Sequence, residues 1–337
     1  MVLHPIPLFK IIITFAVVVK LFLSNRSIVQ FLLPFVVVAY ILLNFSTKYY
    51  GYFEAVNFGF WGNAKSINPV YSQLFASLLI LINAIGINAI FNWNQFLERN
   101  SFMPSLQYVI LLSFYHSFYQ IDGLLISHTF IILTLHQLYF LRQNDDGRKT
   151  VFNASFFAGI AATFHPPLIG LLPVIFFMIW CIRPFVFREI LLSVIGFSIP
   201  LFYGSFYLIY NKTSIDLTLI KSATNYERLQ FDFLVVFGIF ICSLLLSLVS
   251  IQAHIQKSSL RLKKMTKMLW WIVVAGIVIG ILDFFQNNGQ IQRFSIIMIP
   301  FSFFLTFSFS HKTLSIVAIG LFYVTLTYSV LKFFLHF

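Results

Sequence analysis

The sequence predicts an all-α transmembrane helical bundle that crosses a bilayer about eleven times, or twelve if an N-terminal segment also crosses. Three observations carry this. Hydrophobic residues make up 59% of the 337 residues and charged residues only 9%, whereas a soluble domain carries about 25% charged residues. Apolar runs of roughly 17–25 residues, the length of a helix that spans hydrocarbon, follow one another along the chain. The connectors are short, and none is long enough to form a soluble domain. Lipid allows helices to keep apolar outer faces, which water does not.

The N-terminus is the least regular part. Nine residues lie between Lys10 and Lys20, about 14 Å of helix, which is short of a span unless both lysines snorkel. Residues 1–20 therefore read as an apolar extension, and residues 21–337 as a single transmembrane domain. The candidate spans are Ile28–Phe45, Val70–Asn92, Phe102–Tyr119, Leu124–Leu141, Ile190–Tyr210, Asp232–Ile251, Met268–Phe285, Phe294–Ser310 and Thr313–Leu331. The run Val151–Ile182 is too long for one span and carries His165-Pro166-Pro167 at its middle. Proline lacks a donor and clashes with the preceding turn. The run reads as two short helices, Val151–Phe164 and Leu168–Ile182, meeting at the prolines. The alternative is one long kinked helix.

Charge sets the orientation. Lys257, Arg261, Lys263, Lys264 and Lys267 form a connector without an acid, which the positive-inside rule places in the cytoplasm. Counting back puts Arg183, Arg188, Arg142, Arg148, Arg99 and Arg26 on the same side. Both flanks of Val151–Ile182 are then cytoplasmic, so the run must cross an even number of times, which one kinked helix does not. The two larger outer connectors are Ser46–Pro69 and Asn211–Phe231. The first is rich in aromatic residues and reads as an amphipathic segment along the membrane surface. The net charge of +12 belongs to these connectors and to anionic headgroups, not to nucleic acid. Lipid bilayer is the predicted partner.

Acids near the bilayer are the first candidates for chemistry, because burying a charge there is costly. Glu54 lies in the first outer connector and Asp122 in the short second one. Two carboxylates converging on an outer cavity would supply a general base; interface residues solvated by water are the bland reading. Asp232, ahead of an apolar run, reads as a helix cap. His165 either contacts a phosphate or sugar or merely caps the proline turn, and Arg228 fits an anionic headgroup. His116, His128 and His136 read better as hydrogen-bonding partners between helices than as metal ligands, since two ligands normally sit three or four residues apart. No nucleotide-binding glycine pattern and no zinc motif is present. No cofactor is expected.

Three stretches carry a resemblance: Leu21-Phe22-Leu23-Ser24-Asn25-Arg26, the run from Phe96 to Pro104, and Arg183-Pro184-Phe185-Val186-Phe187-Arg188-Glu189 with Gly196 and Pro200 following. From Val19 onward the chain resembles a family of polytopic inner-membrane proteins from Bacteroidota that share a domain of unknown function. This implies a bacterial inner membrane, and residues before Val19 that are either an extension or an upstream start. More distantly, the large first outer connector and the Gly159…His165-Pro166-Pro167 segment resemble membrane glycosyltransferases that use polyprenyl-phosphate sugars. That resemblance implies Glu54 as catalytic base with Asp122 assisting, and His165 and Arg228 as phosphate-binding residues. The paired acids at the start of that family's loop are absent, since Asn44-Phe45-Ser46-Thr47-Lys48 holds none. The competing expectation is a non-catalytic subunit of an envelope secretion or assembly complex, with other membrane subunits as partners.

Overall fold

In lipid every backbone N–H and C=O must be satisfied within the chain, and the computed structural model meets this with helices. It describes residues 17–24, 26–48, 55–65, 68–141, 146–211, 226–256, 258–286, 291–309 and 315–334. Along these residues run α1 (Val17–Leu23), α2 (Leu33–Thr47), a hairpin of β1 (Ala55–Asn57) and β2 (Asn63–Lys65), α3 (Pro69–Trp93) and α4 (Met103–Leu112). Then follow α5 (Gly123–Phe140), α6 (Arg148–Phe164), α7 (Leu171–Ile182), α8 (Phe187–Asn211), α9 (Tyr226–Gln256), α10 (Leu260–Gln286), α11 (Met298–Ser308) and α12 (Ser315–Leu331).

Among the described residues, six helical segments are long and apolar enough to cross a membrane: Ile28–Thr47, Pro69–Trp93, Gly123–Phe140, Phe187–Asn211, Leu234–Gln256 and Leu260–Leu282. The chain is a membrane protein on this ground. Its outward surface agrees, because α2, α8 and α9 expose large apolar side chains such as Phe35, Phe202 and Leu245. Exposed Trp93 and Trp180 mark one end of the helices, and Tyr207 and Tyr210 the other, as aromatic belts do at the two interfaces.

Side-chain contacts define the direction of each helix. Ser127 Oγ donates to the Ala161 carbonyl at 2.9 Å, and Thr134 Oγ1 to Ala154 at 3.2 Å, so α5 and α6 are antiparallel. A 3-10 turn, Pro166–Gly170, separates α6 from α7. A Cβ at Gly147, before α6, would stand 2.8 Å from Nη1 of Arg183, just after α7. The pair therefore folds back on itself at the prolines, as the charge pattern requires, and the single kinked helix is excluded. Next, α8 runs parallel to α6 at close range. A Cβ at Gly159 would meet the Phe197 carbonyl oxygen at 2.5 Å, and one at Gly196 the Phe152 carbonyl oxygen at 2.7 Å. Ser155 and Ser193 hydrogen-bond across the same seam at 2.6 Å. Small residues at four-residue spacing let membrane helices approach this closely, since packing and not hydrophobicity drives their association.

Two ends emerge. The basic end holds the 95–101 connector, Gly147, Arg183 and the start of α10, where Lys264 Nζ donates to the Ile182 carbonyl. The hairpin end holds β1 and β2, the starts of α3 and α5, and the α6–α7 turn. Every residue of α4 and α11 is buried, and a helix apolar all round belongs in a core. Phe91 and Phe96 interlock with Phe303 and Phe307 of α11, with ring centroids 5.3–6.1 Å apart.

In its elements the structure departs from the sequence reading in four places. The span Phe102–Tyr119 is helical only over Met103–Leu112 and continues as a 3-10 turn, His116–Phe118. The span Phe294–Ser310 opens as a 3-10 helix, Ile291–Ile297. Both segments are interior, so protein and not lipid surrounds them, and local 3-10 bonds such as that from Tyr119 N–H to the His116 carbonyl satisfy their backbone. Residues 55–65 of the first outer connector form a hairpin packed onto helix ends and not a surface-lying amphipathic segment; Tyr49, Tyr50, Tyr52 and Phe53, on which that reading also rests, lie outside the described residues. Glycines at φ +65° (Gly59) and φ +84° (Gly62) turn it, a conformation open to residues without a Cβ. Finally, α9 begins at Tyr226, which places Asp232 within the helix and not at its cap.

Candidate functional site

An acid one residue ahead of Gly123-Leu124-Leu125 is an N-cap by its chemistry, because the first helical N–H groups lack partners. Asp122 fills this role for α5. Its Oδ1 accepts the Leu125 N–H at 2.7 Å, and its Oδ2 accepts the hydroxyl of Ser117. The side chain is buried, at 3% exposure, and the helix dipole favours the negative charge there. The expectation of a solvated interface carboxylate is therefore corrected: both oxygens accept hydrogen bonds within the fold.

His165 ends α6 in extended backbone, with φ −135° and ψ 93°. Its N–H donates to the Ala161 carbonyl at 3.0 Å, and its own carbonyl accepts from Leu168 N–H at 3.0 Å. Pro166 then prevents helix continuation. The imidazole is buried.

The elements bearing Asp122 and His165 touch. A Cβ at Gly123 would stand 2.4 Å from the Phe164 carbonyl oxygen and 3.0 Å from that of Asn57 in β1. One at Gly59 would stand 2.4 Å from the Thr163 carbonyl oxygen. The hairpin therefore lies directly on the α6–α7 turn and against the start of α5. Trp61, in the hairpin turn, donates from Nε1 to Thr163 Oγ1 at 3.2 Å. Its ring tilts against Phe164 and Tyr207, yet 42% of the residue stays exposed.

Below this junction a polar network crosses the core. Asn83 Nδ2 reaches the Tyr108 hydroxyl at 3.5 Å, which lies 3.0 Å from His128 Nδ1; His128 Nε2 lies 3.2 Å from Ser295 Oγ. All four residues are buried. The network joins α3, α4, α5 and the 3-10 turn before α11, as a hydrogen-bonding role for His128 requires. His136, two turns on, instead packs its ring against Trp93 and Phe140. Sequence reading missed Tyr108, Asn83 and Ser295. An Asn in the middle of an apolar helix was the available signal, since a buried amide needs a partner.

Of the four nominated residues, the structure brings Asp122 and His165 into adjacent elements. Glu54 directly precedes β1 and lies outside the described residues. Arg228 falls in the first turn of α9, but its side chain also lies outside them. Among the described residues no three His, Cys, Asp or Glu side chains group as a metal site requires. Chemically, the junction offers a buried carboxylate committed to two donors, a buried imidazole and a half-open indole face. The sequence matches no established protein family, no curated protein and no solved structure.

Proposed function

We propose that this chain is a bacterial inner-membrane protein of about eleven spans that handles a lipid-linked, phosphate-bearing sugar at its hairpin end, in the manner of a glycosyltransferase. The observation that supports the reading is the contact of the elements that bear Asp122 and His165, where a Cβ at Gly123 would stand 2.4 Å from the Phe164 carbonyl oxygen, beneath a hairpin whose first strand follows Glu54. The short helices α4 and α11 count as spans in this scheme because surrounding protein shields them, and α7, which exposes Phe177 and Trp180, counts as the return crossing of the pair it forms with α6. The basic end faces the cytoplasm and the hairpin end faces out.

In the proposed reaction Glu54 takes the proton of an acceptor hydroxyl, while His165 and Arg228 hold the phosphate that leaves with the lipid. Asp122 is a positioning residue: it fixes the start of α5 against Phe164, and so the place of His165. Trp61 supplies the amphipathic face expected at a membrane–water interface.

The test uses the full chain in liposomes with a radiolabelled polyprenyl-phosphate sugar. Transfer by the native chain that is lost in Glu54→Gln with donor binding kept, and donor binding that is weakened in His165→Ala at unchanged melting temperature, is the expected result. A native chain that neither binds nor transfers the donor defeats the reading. The second reading, a non-catalytic subunit of an envelope complex, is favoured by the engagement of both Asp122 oxygens inside the fold. A stoichiometric partner after purification in mild detergent would select it.

A further inference from the structure

The basic end carries a cavity of about 1100 Å³ that the hairpin-end reading does not use. Its walls come from residues 95–101 after α3, the last turns of α9, the start of α10 and Leu23 of α1. Leu23, Leu97 and Leu262 are apolar members of its lining, Arg99, His254 and Ser259 polar ones, and Glu98 is the one carboxylate among the described lining residues. His254 Nε2 donates to the Phe96 carbonyl at 3.2 Å, which leaves Nδ1 as its other polar atom. Ser259 precedes α10, and its Oγ accepts the Leu262 N–H at 3.5 Å. The cavity therefore includes the positive end of a 27-residue helix, where anions are favoured. In sequence, Gln256 and Ser258 of the lining flank Lys257, and Arg261 follows.

Size narrows the ligand. Ordinary small-molecule pockets span about 300–1000 Å³, so this space exceeds what inorganic phosphate needs. A lining that mixes polar and cationic groups with apolar ones, between membrane helices at their basic end, suits a headgroup with the first part of its chains. We propose that this cavity binds a phosphate-bearing anion, with Arg99 as the charged partner and the start of α10 as the dipole end. The source of the phosphate is either an anionic phospholipid or a soluble phosphate compound.

The full chain in a neutral maltoside detergent tests this. The probes are phosphatidylglycerol, phosphatidylcholine and inorganic phosphate, read by the shift in the midpoint of thermal denaturation. Phosphatidylglycerol should raise the midpoint and phosphatidylcholine should not. Arg99→Gln should weaken the phosphatidylglycerol response about tenfold in concentration, the scale of one charge-assisted contact. Glu98→Gln should strengthen it, because it removes a like charge. Both residues are exposed, so their unliganded midpoints should match the native chain. If inorganic phosphate reproduces the full shift with the same dependence on Arg99, the anion site stands and its ligand is a soluble phosphate. An equal response to phosphatidylcholine overturns the proposal, as does an Arg99→Gln variant that responds like the native chain.

Discussion

Lys332 follows α12 at the hairpin end with only 2% of its surface exposed, and two replacements separate what its stem contributes from what its charge contributes. Its Nζ donates to the Ser113 carbonyl at 2.6 Å, just past the last turn of α4, where the helix dipole favours a cation. The ammonium also sits 4.9 Å from the ring centre of Phe114, 5.1 Å from Phe333 and 5.8 Å from Tyr119. A hydrogen bond to a charged group contributes about 1.5–3 kcal/mol. A desolvated cation–π contact adds about 2 kcal/mol. Stripping water from an ammonium costs several kcal/mol, so the charge comes out close to neutral. Lys332→Met keeps a stem of similar length, and the Ser113 carbonyl keeps the Tyr119 hydroxyl at 2.9 Å. Its expected change is within about 1 kcal/mol. Lys332→Ala removes the stem and leaves a cavity, at about 2–5 kcal/mol by analogy with long apolar side chains. At about 2 °C per kcal/mol for a chain of this size, the alanine variant should melt about 4–10 °C lower. The assay is the fraction of monodisperse protein left after heating in detergent. If methionine falls as far as alanine, the charge and not the stem holds the site, and the contacts of the ammonium outweigh its desolvation.

Asp122→Ala removes the cap of α5 and the partner of Ser117, and should cost about 1–3 kcal/mol; Asp122→Asn, which keeps an acceptor for Leu125 N–H, should cost less in the same melting assay. Gly159→Leu should abolish folded protein on size-exclusion chromatography, because its Cβ alone would meet the Phe197 carbonyl oxygen at 2.5 Å. Gly320→Ala, with nothing within 4 Å of the new carbon, should be neutral or gain up to about 1 kcal/mol of helix propensity. His128→Leu strips the Tyr108 hydroxyl and Ser295 of their shared partner and should cost about 1–3 kcal/mol, seen as faster proteolysis in detergent. A cysteine at Lys263 should react with an impermeant maleimide only after the cells are opened; labelling of intact cells would reverse the assigned orientation.

The class of fold was readable because lipid imposes it: a chain this apolar, with so few charges, has helices as its way to satisfy backbone groups across a bilayer. The break at Pro166 and Pro167 was equally legible, since a missing donor and a ring clash are local facts, and the basic flanks of residues 151–182 forced a return crossing. Helix lengths inside the bundle were not legible. Met103–Leu112 and Met298–Ser308 are apolar on all sides in sequence whether lipid or protein surrounds them, and only packing decides which. The same holds at the hairpin end. Asp122 stands before an apolar run in the sequence, but whether its carboxylate meets water or Ser117 depends on how the 113–123 segment folds back. The sequence by itself determined a membrane-embedded helical chain with one strongly basic end, because composition and charge act through solvent alone. Only the tertiary structure decided that α6 and α8 lie glycine-close, that His128 ties Tyr108 to Ser295, and that Asp122 meets the turn of His165, because each contact joins residues that no local preference brings together.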